Sequence, residues 1–158
     1  MPGAKDMIQY PFLKEISLFE GLTNDVINKI FRIGKLKYYK DGVLIMEEGN
    51  KGETLHILVS GKAEVWKSVK GGLSNSRRLA KLECGSIFGE MSLFDGAPYS
   101  ATVKAAGECV VLAIPGRGFK QFLRKNPDAA YKIFVSLICM MSNRLRRANL
   151  TLSLIETE

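Results

Sequence analysis

The chain has 158 residues, is 46% hydrophobic and 25% charged, and carries a net charge of +7. That size and mixture fit one globular domain and exclude a disordered or fibrous chain. The longest apolar run, Ile133–Met141, is far short of the ~20 residues that cross a bilayer, and Met1–Tyr10 lacks the apolar core of a signal peptide, so no membrane span and a cytoplasmic location are expected.

In chain order, residues 1–34 are expected to form N-terminal helices, with helical character over 6–33. Thr23 has the chemistry of an N-cap. Val26, Ile27, Ile30 and Phe31 then recur on one helical face. The segment Ser17-Leu18-Phe19-Glu20-Gly21-Leu22 ahead of them reads as a turn with apolar anchors.

From residue 35 to 114 the texture changes to short apolar or alternating runs cut by turn residues. That pattern is the all-β signal. The expected strands are Leu36–Tyr39, Val43–Met46, Thr54–Ser60, Lys62–Val69, Arg77–Leu82, Ser100–Ala105 and Cys109–Ile114. The breaks include Lys40-Asp41-Gly42, Lys70-Gly71-Gly72 and Ala106-Gly107-Glu108. Alternation in Ala63-Glu64-Val65-Trp66 places Ala63 and Val65 on one face. Seven or eight such strands imply a barrel or jelly roll.

Residues 115–158 turn helical again. Phe119, Phe122 and Leu123 define a short amphipathic helix, and Asn126 followed by Pro127 is a strong helix start. Pro127–Ile155 contains no Gly and no further Pro; its 29 residues would extend about 43 Å as a helix. Phe134, Ile138, Met141, Leu145, Ala148, Leu152 and Ile155 follow each other at alternating spacings of four and three, a heptad seam. The expectation is a homodimer through residues 134–155, with Val135, Leu137 and Met140 turned toward the barrel. The alternative is a seam that packs on the chain's own barrel.

Cys84, Cys109 and Cys139 are odd in number and widely spaced, which fits reduced, mostly buried thiols. With one histidine, His56, and no close cysteine pair, neither a metal site nor a nucleophilic triad is expected, and the chain reads as no enzyme. The lysines are scattered, so the positive charge reads first as a solvated surface, with an anionic ligand as the competing reading.

The most informative stretch is Phe88-Gly89-Glu90-Met91-Ser92-Leu93-Phe94-Asp95-Gly96-Ala97-Pro98-Tyr99-Ser100-Ala101-Thr102-Val103. Gly89 permits a tight turn, and Glu90–Phe94 can form one helical turn whose free N–H groups favour an anion. Glu90 would repel a phosphate, so its sensible partner is a neutral hydroxyl. Ser100 and the Ala101 N–H are further candidate donors, and Leu93, Phe94, Ala101 and Val103 are candidate core.

Residues 88–103 resemble the phosphate-binding cassette of cyclic-nucleotide-binding domains, a family found in catabolite activator proteins, protein kinase A regulatory subunits and cyclic-nucleotide-gated channels. Residues 48–63, the Ser17–Leu22 segment and the two C-terminal helices extend the resemblance from about Phe12 to about Asn149. It implies an α+β, mainly β fold: an eight-stranded jelly-roll barrel with N-terminal helices, a short cassette helix and a long C-terminal helix. It also implies a candidate ligand site of Phe88, Gly89, Glu90, Met91, Ser92, Tyr99, Ser100 and Ala101, completed by Asn149 on the last helix, with Glu90 holding a ribose hydroxyl and cAMP or cGMP as the possible ligand. No other cofactor is expected.

The chain departs from the family pattern at Tyr99, where the arginine that neutralises the cyclic phosphate belongs. Exchanging a charge-assisted bond for a neutral one costs ~1.5–3 kcal/mol, roughly ten- to a hundred-fold in affinity. Lys104, Arg77 and Arg78 are conceivable replacements. Two functional readings follow: a sensor with weak or altered cyclic-nucleotide binding, and a ligand-free dimeric scaffold for a protein partner. A third, the effector part of a transcriptional regulator, is disfavoured because no recognition helix follows the long helix before Glu158, so sequence-specific DNA binding is not expected.

Overall fold

A computed structural model of the chain describes residues 11–69 and 75–155. Two short 3-10 turns, Pro11–Glu15 and Ser17–Phe19, lead into α1 (Asn24–Ile33). The strands are β1 (Lys35–Tyr39), β2 (Leu44–Met46), β3 (Thr54–Ser60), β4 (Ala63–Ser68), β5 (Ser76–Leu82) and β6 (Ile87–Phe88), then, after α2 (Glu90–Asp95), β7 (Thr102–Ala105) and β8 (Cys109–Pro115). The helices α3 (Gly116–Lys125) and α4 (Pro127–Ile155) follow. The strands pair antiparallel in two four-stranded sheets, β1-β8-β3-β6 and β2-β7-β4-β5. This is the jelly-roll arrangement expected from the sequence.

The strand alternation divides the interior into two cores. On β3, Leu55, Ile57 and Val59 face a helical layer made by Leu13, Phe19, Ile30, Phe31, Phe119 and Ile133. Leu58 points the other way, between the sheets, with Met46, Ala63, Phe88, Val103 and Val111. On β8, Leu112 and Ile114 join the first core and Cys109 and Val111 the second. A period of two is what a strand covered on both faces requires. Phe119 is completely buried, so truncating it to alanine would cost about 3–5 kcal/mol.

Several boundaries differ from the sequence expectation. The helix expected over 6–33 is broken: Ile16, extended at φ −70° and ψ 141°, and Gly21, at φ 75°, separate the short turns from α1, and residues 6–10 lie outside the described residues. The Thr23 side chain does accept from the Val26 N–H at 3.3 Å, as its N-cap role requires. The expected break at residues 70–72 also lies outside the described residues. The two-residue strand β6 leaves no mark in the sequence, because a strand that short shows no alternation. Ser100 and Ala101 fall in the loop before β7, not in a strand. Of the three free cysteines only Cys109 is buried; Cys84 and Cys139 are exposed.

Helix α4 covers the span read from the sequence. Its first half packs on the barrel through Ala129, Ala130, Ile133 and Leu137, with Met140 partly buried against the same core. Val135, expected to join them, is exposed: it sits two residues from both Ile133 and Leu137, about 200° around the helix from each. The seam residues Phe134, Ile138, Met141, Leu145, Leu152 and Ile155 are all exposed.

Candidate ligand-binding site

Residues 88–103 form a strand end, one short helix and a returning loop. Gly89 adopts φ 80°, in the left-handed region, and starts α2. A Cβ there would stand 2.7 Å from the Thr54 carbonyl oxygen and 3.1 Å from His56 Nδ1, so both conformation and space demand glycine. Gly96, at φ 72°, ends the helix. Ser92 is buried and its hydroxyl donates to the Pro98 carbonyl at 3.2 Å. Lys67 fixes the far end, donating to the Ser100 carbonyl at 2.7 Å and pairing with Glu48. That hydrogen bond from Lys67 holds the Glu48 carboxyl below its usual pKa.

Between this segment, β5 and α4 lies a cavity of about 720 Å³. Its body is apolar, with Met46, Val65, Leu82, Ile87, Phe88 and Val103 among its walls. Phe88, Gly89, Glu90, Met91, Ser92, Tyr99, Ser100 and Ala101 all line it, so eight of the nine residues expected from the sequence are brought together. Asn149 is exposed and does not line this cavity. From α4 the lining side chains are Met140, Arg144 and Arg147, three positions that share one helical face.

Two arrangements in the cavity were not legible in the sequence. The first is an ion pair. The Glu90 carboxylate is 5% exposed and accepts from the Arg144 guanidinium, whose side chain is 50% exposed. A second Arg144 nitrogen donates to the Ile87 carbonyl at 3.3 Å. Helix α4 is thereby tied to the cassette by charge. It is tied by packing as well: Phe94, expected in the core, is 41% exposed, and its ring meets Phe134 of α4 edge-on, with centroids 5.6 Å apart. Leu93 and Phe94 project about 100° apart on α2, and Leu93 takes the buried side.

The second concerns Tyr99. Its ring is buried in the core between the sheets. Its hydroxyl accepts from the Thr54 N–H and donates to the Thr54 carbonyl, both at 3.3 Å. The phenol is thus engaged with β3 and is not a free donor to an anion. Beside it, His56 is 5% exposed and stacks on Phe88 with centroids 4.9 Å apart. His56 Nδ1 has no hydrogen-bond partner among the described residues. Burial first, and the nearby Lys37 charge second, push the imidazole pKa down to about 4. None of the three replacement cations considered from the sequence lines the cavity. Arg78 pairs with Glu64 at 3.0 Å, and Lys104 lies over the Trp66 ring at 5.3 Å.

A jelly roll with an apolar cavity, a glycine-started helical turn at its floor and a long helix as its lid defines a small-molecule-binding module. The family model described as "Cyclic nucleotide-binding domain" matches residues 36–126, more than half of the chain, and the chain belongs to that family. It is 31% identical over 92% of its length to the cyclic AMP receptor protein of Thermus thermophilus, of which it spans 65%. Over 61% of its length it is 38% identical to a cAMP-dependent protein kinase regulatory subunit of Mycosarcoma maydis, of which it spans 18%. The crystal structure of the Thermus thermophilus catabolite activator protein superposes with a TM-score of 0.77 at 30% identity, covering 89% of this chain and 63% of that one. The chain thus spans less than two thirds of these relatives. Among the described residues no helix is long and apolar enough to cross a membrane, and no group of three or more potential metal-ligating side chains occurs.

Proposed function

We propose that the chain is a non-catalytic sensor that takes a cyclic nucleotide between α2 and α4, binds it weakly because Tyr99 has no charge to give, and passes occupancy on through a pair of α4 helices. One observation carries the reading: the buried Glu90 carboxylate at the cavity floor is held by Arg144 of α4. A ligand hydroxyl donating to Glu90 competes with that guanidinium, so filling the cavity changes how α4 is anchored. A ligand acts on a protein only through such differential contacts. Two copies of α4 paired along the exposed seam would carry the change between protomers.

The test is calorimetric titration of cAMP and cGMP into the chain and into Tyr99→Arg. Weak binding by the parent and roughly ten- to a hundred-fold tighter binding by the variant are expected. A parent that stays silent at millimolar ligand while Tyr99→Arg binds favours the second reading, a ligand-free scaffold. That reading draws on the Tyr99 hydroxyl being already engaged with Thr54. If both proteins stay silent, the cavity is no cyclic-nucleotide site.

A further inference from the structure

We infer that Arg147 supplies the positive charge that the cassette lacks, so that the ligand's anionic group is neutralised from α4 and not from the loop at residue 99. The inference rests on the reading of the cavity as a cyclic-nucleotide site. A phosphodiester buried against an apolar wall requires a cation or a dense set of donors. The charged side chains that line the cavity are Lys81, Glu90, Arg144 and Arg147, three cations against one carboxylate. Arg144 is committed to Glu90 and to the Ile87 carbonyl. Lys81 is an exposed residue on β5 whose register neighbour on β4, Glu64, pairs with Arg78 instead.

Arg147, exposed like Lys81, differs from Arg144 in being unpaired among the described residues and from Lys81 in being a guanidinium on α4. It stands three residues beyond Arg144 and seven beyond Met140, on the face of α4 that lines the cavity. It makes no ion pair among the described residues. Its neighbour Arg146 turns away, donating to Asn143 at 3.4 Å. A guanidinium presents a rigid fork of donors that matches two phosphate oxygens, which an ammonium does not. With the charge on α4, the same helix that is anchored to Glu90 also receives the ligand's negative charge. Release of Arg144 and capture by Arg147 then act on one element.

The experiment measures cAMP affinity by calorimetry for the parent, Arg147→Gln, Tyr99→Arg and the double variant. Arg147 is exposed, so Arg147→Gln should keep the ligand-free melting temperature of the parent, and Arg147→Lys should recover part of any loss. In the parent background Arg147→Gln is expected to weaken binding roughly ten- to a hundred-fold. In the Tyr99→Arg background the loss shrinks to roughly several-fold, because two cations then share one anion. Parent affinity unchanged by Arg147→Gln overturns the inference and leaves cyclic-nucleotide binding standing. Where parent binding is too weak to measure, the functional proposal fails, and the Tyr99→Arg background decides the inference: a several-fold loss supports it, equal affinity overturns it. Silence in both backgrounds overturns the inference and the functional proposal together.

Discussion

Replacing Arg144 with methionine removes the guanidinium and keeps most of the side-chain volume. The cost follows from the burial of the two partners. Glu90 is 5% exposed and would be left without its countercharge, whereas Arg144 is 50% exposed and already shares its charge with water. Breaking a fully buried pair costs about 3–5 kcal/mol, and breaking an exposed pair costs less than about 1 kcal/mol. A pair with one partner on each side of that divide should cost about 2 kcal/mol. Glu90→Gln removes the charge that needs the partner, so Arg144→Met in that background should cost only about 0.5 kcal/mol. The expected coupling is therefore about 1.5 kcal/mol, well above the scatter of additive pairs. Urea unfolding followed by the single tryptophan, Trp66, would show the loss as a midpoint lower by about 1 M. Additivity of the two substitutions within about 0.5 kcal/mol would refute the claim that Glu90 depends on α4 for its countercharge.

Stability should also fall with acid through His56. Its folded-state pKa is depressed to about 4, below the unfolded value of about 6.5, so the unfolded chain binds more protons between these limits and stability rises with pH across that window. About 2 kcal/mol should be lost at pH 5 relative to pH 7, and His56→Met should flatten that slope in thermal or urea unfolding. On α4, the double substitution Leu145→Glu and Leu152→Glu places charge at two seam positions that are 62% and 59% exposed in the single chain. Light scattering should show a dimer for the parent and a monomer for the variant, with the barrel still folded; a monomeric parent would refute the seam as a dimer contact.

The features legible in the sequence are those with a local cause. The tight turn at Gly89, the cap at Thr23 and the proline start of α4 each follow from the chain's own stereochemistry, and each stands where the residues placed it. The strands followed from alternation, apart from β6, which has two residues and no room for a pattern. What the sequence hid were choices among long-range partners. Glu90 meets Arg144 across 54 positions and Tyr99 meets Thr54 across 45. Nothing in the segment around Tyr99 indicates that its hydroxyl turns toward β3. A phenol next to an anion site and a phenol plugging a barrel have the same sequence, and only the fold distinguishes them. Arg144 carries no mark in the sequence, because its partner Glu90 comes from a different third of the chain.

Helix α4 has two unlike edges: Met140, Arg144 and Arg147 border the cavity, while Ile138, Met141, Leu145 and Leu152 remain bare. If a ligand displaces Arg144 from Glu90 as proposed, filling the cavity and gripping the bare edge act on the same helix. Thermodynamic reciprocity makes the two influences equal in free energy. Affinity for a small molecule and affinity for whatever clasps the helix are then one linked quantity, and a titration run at two protein concentrations would yield two different dissociation constants wherever self-association is the clasp.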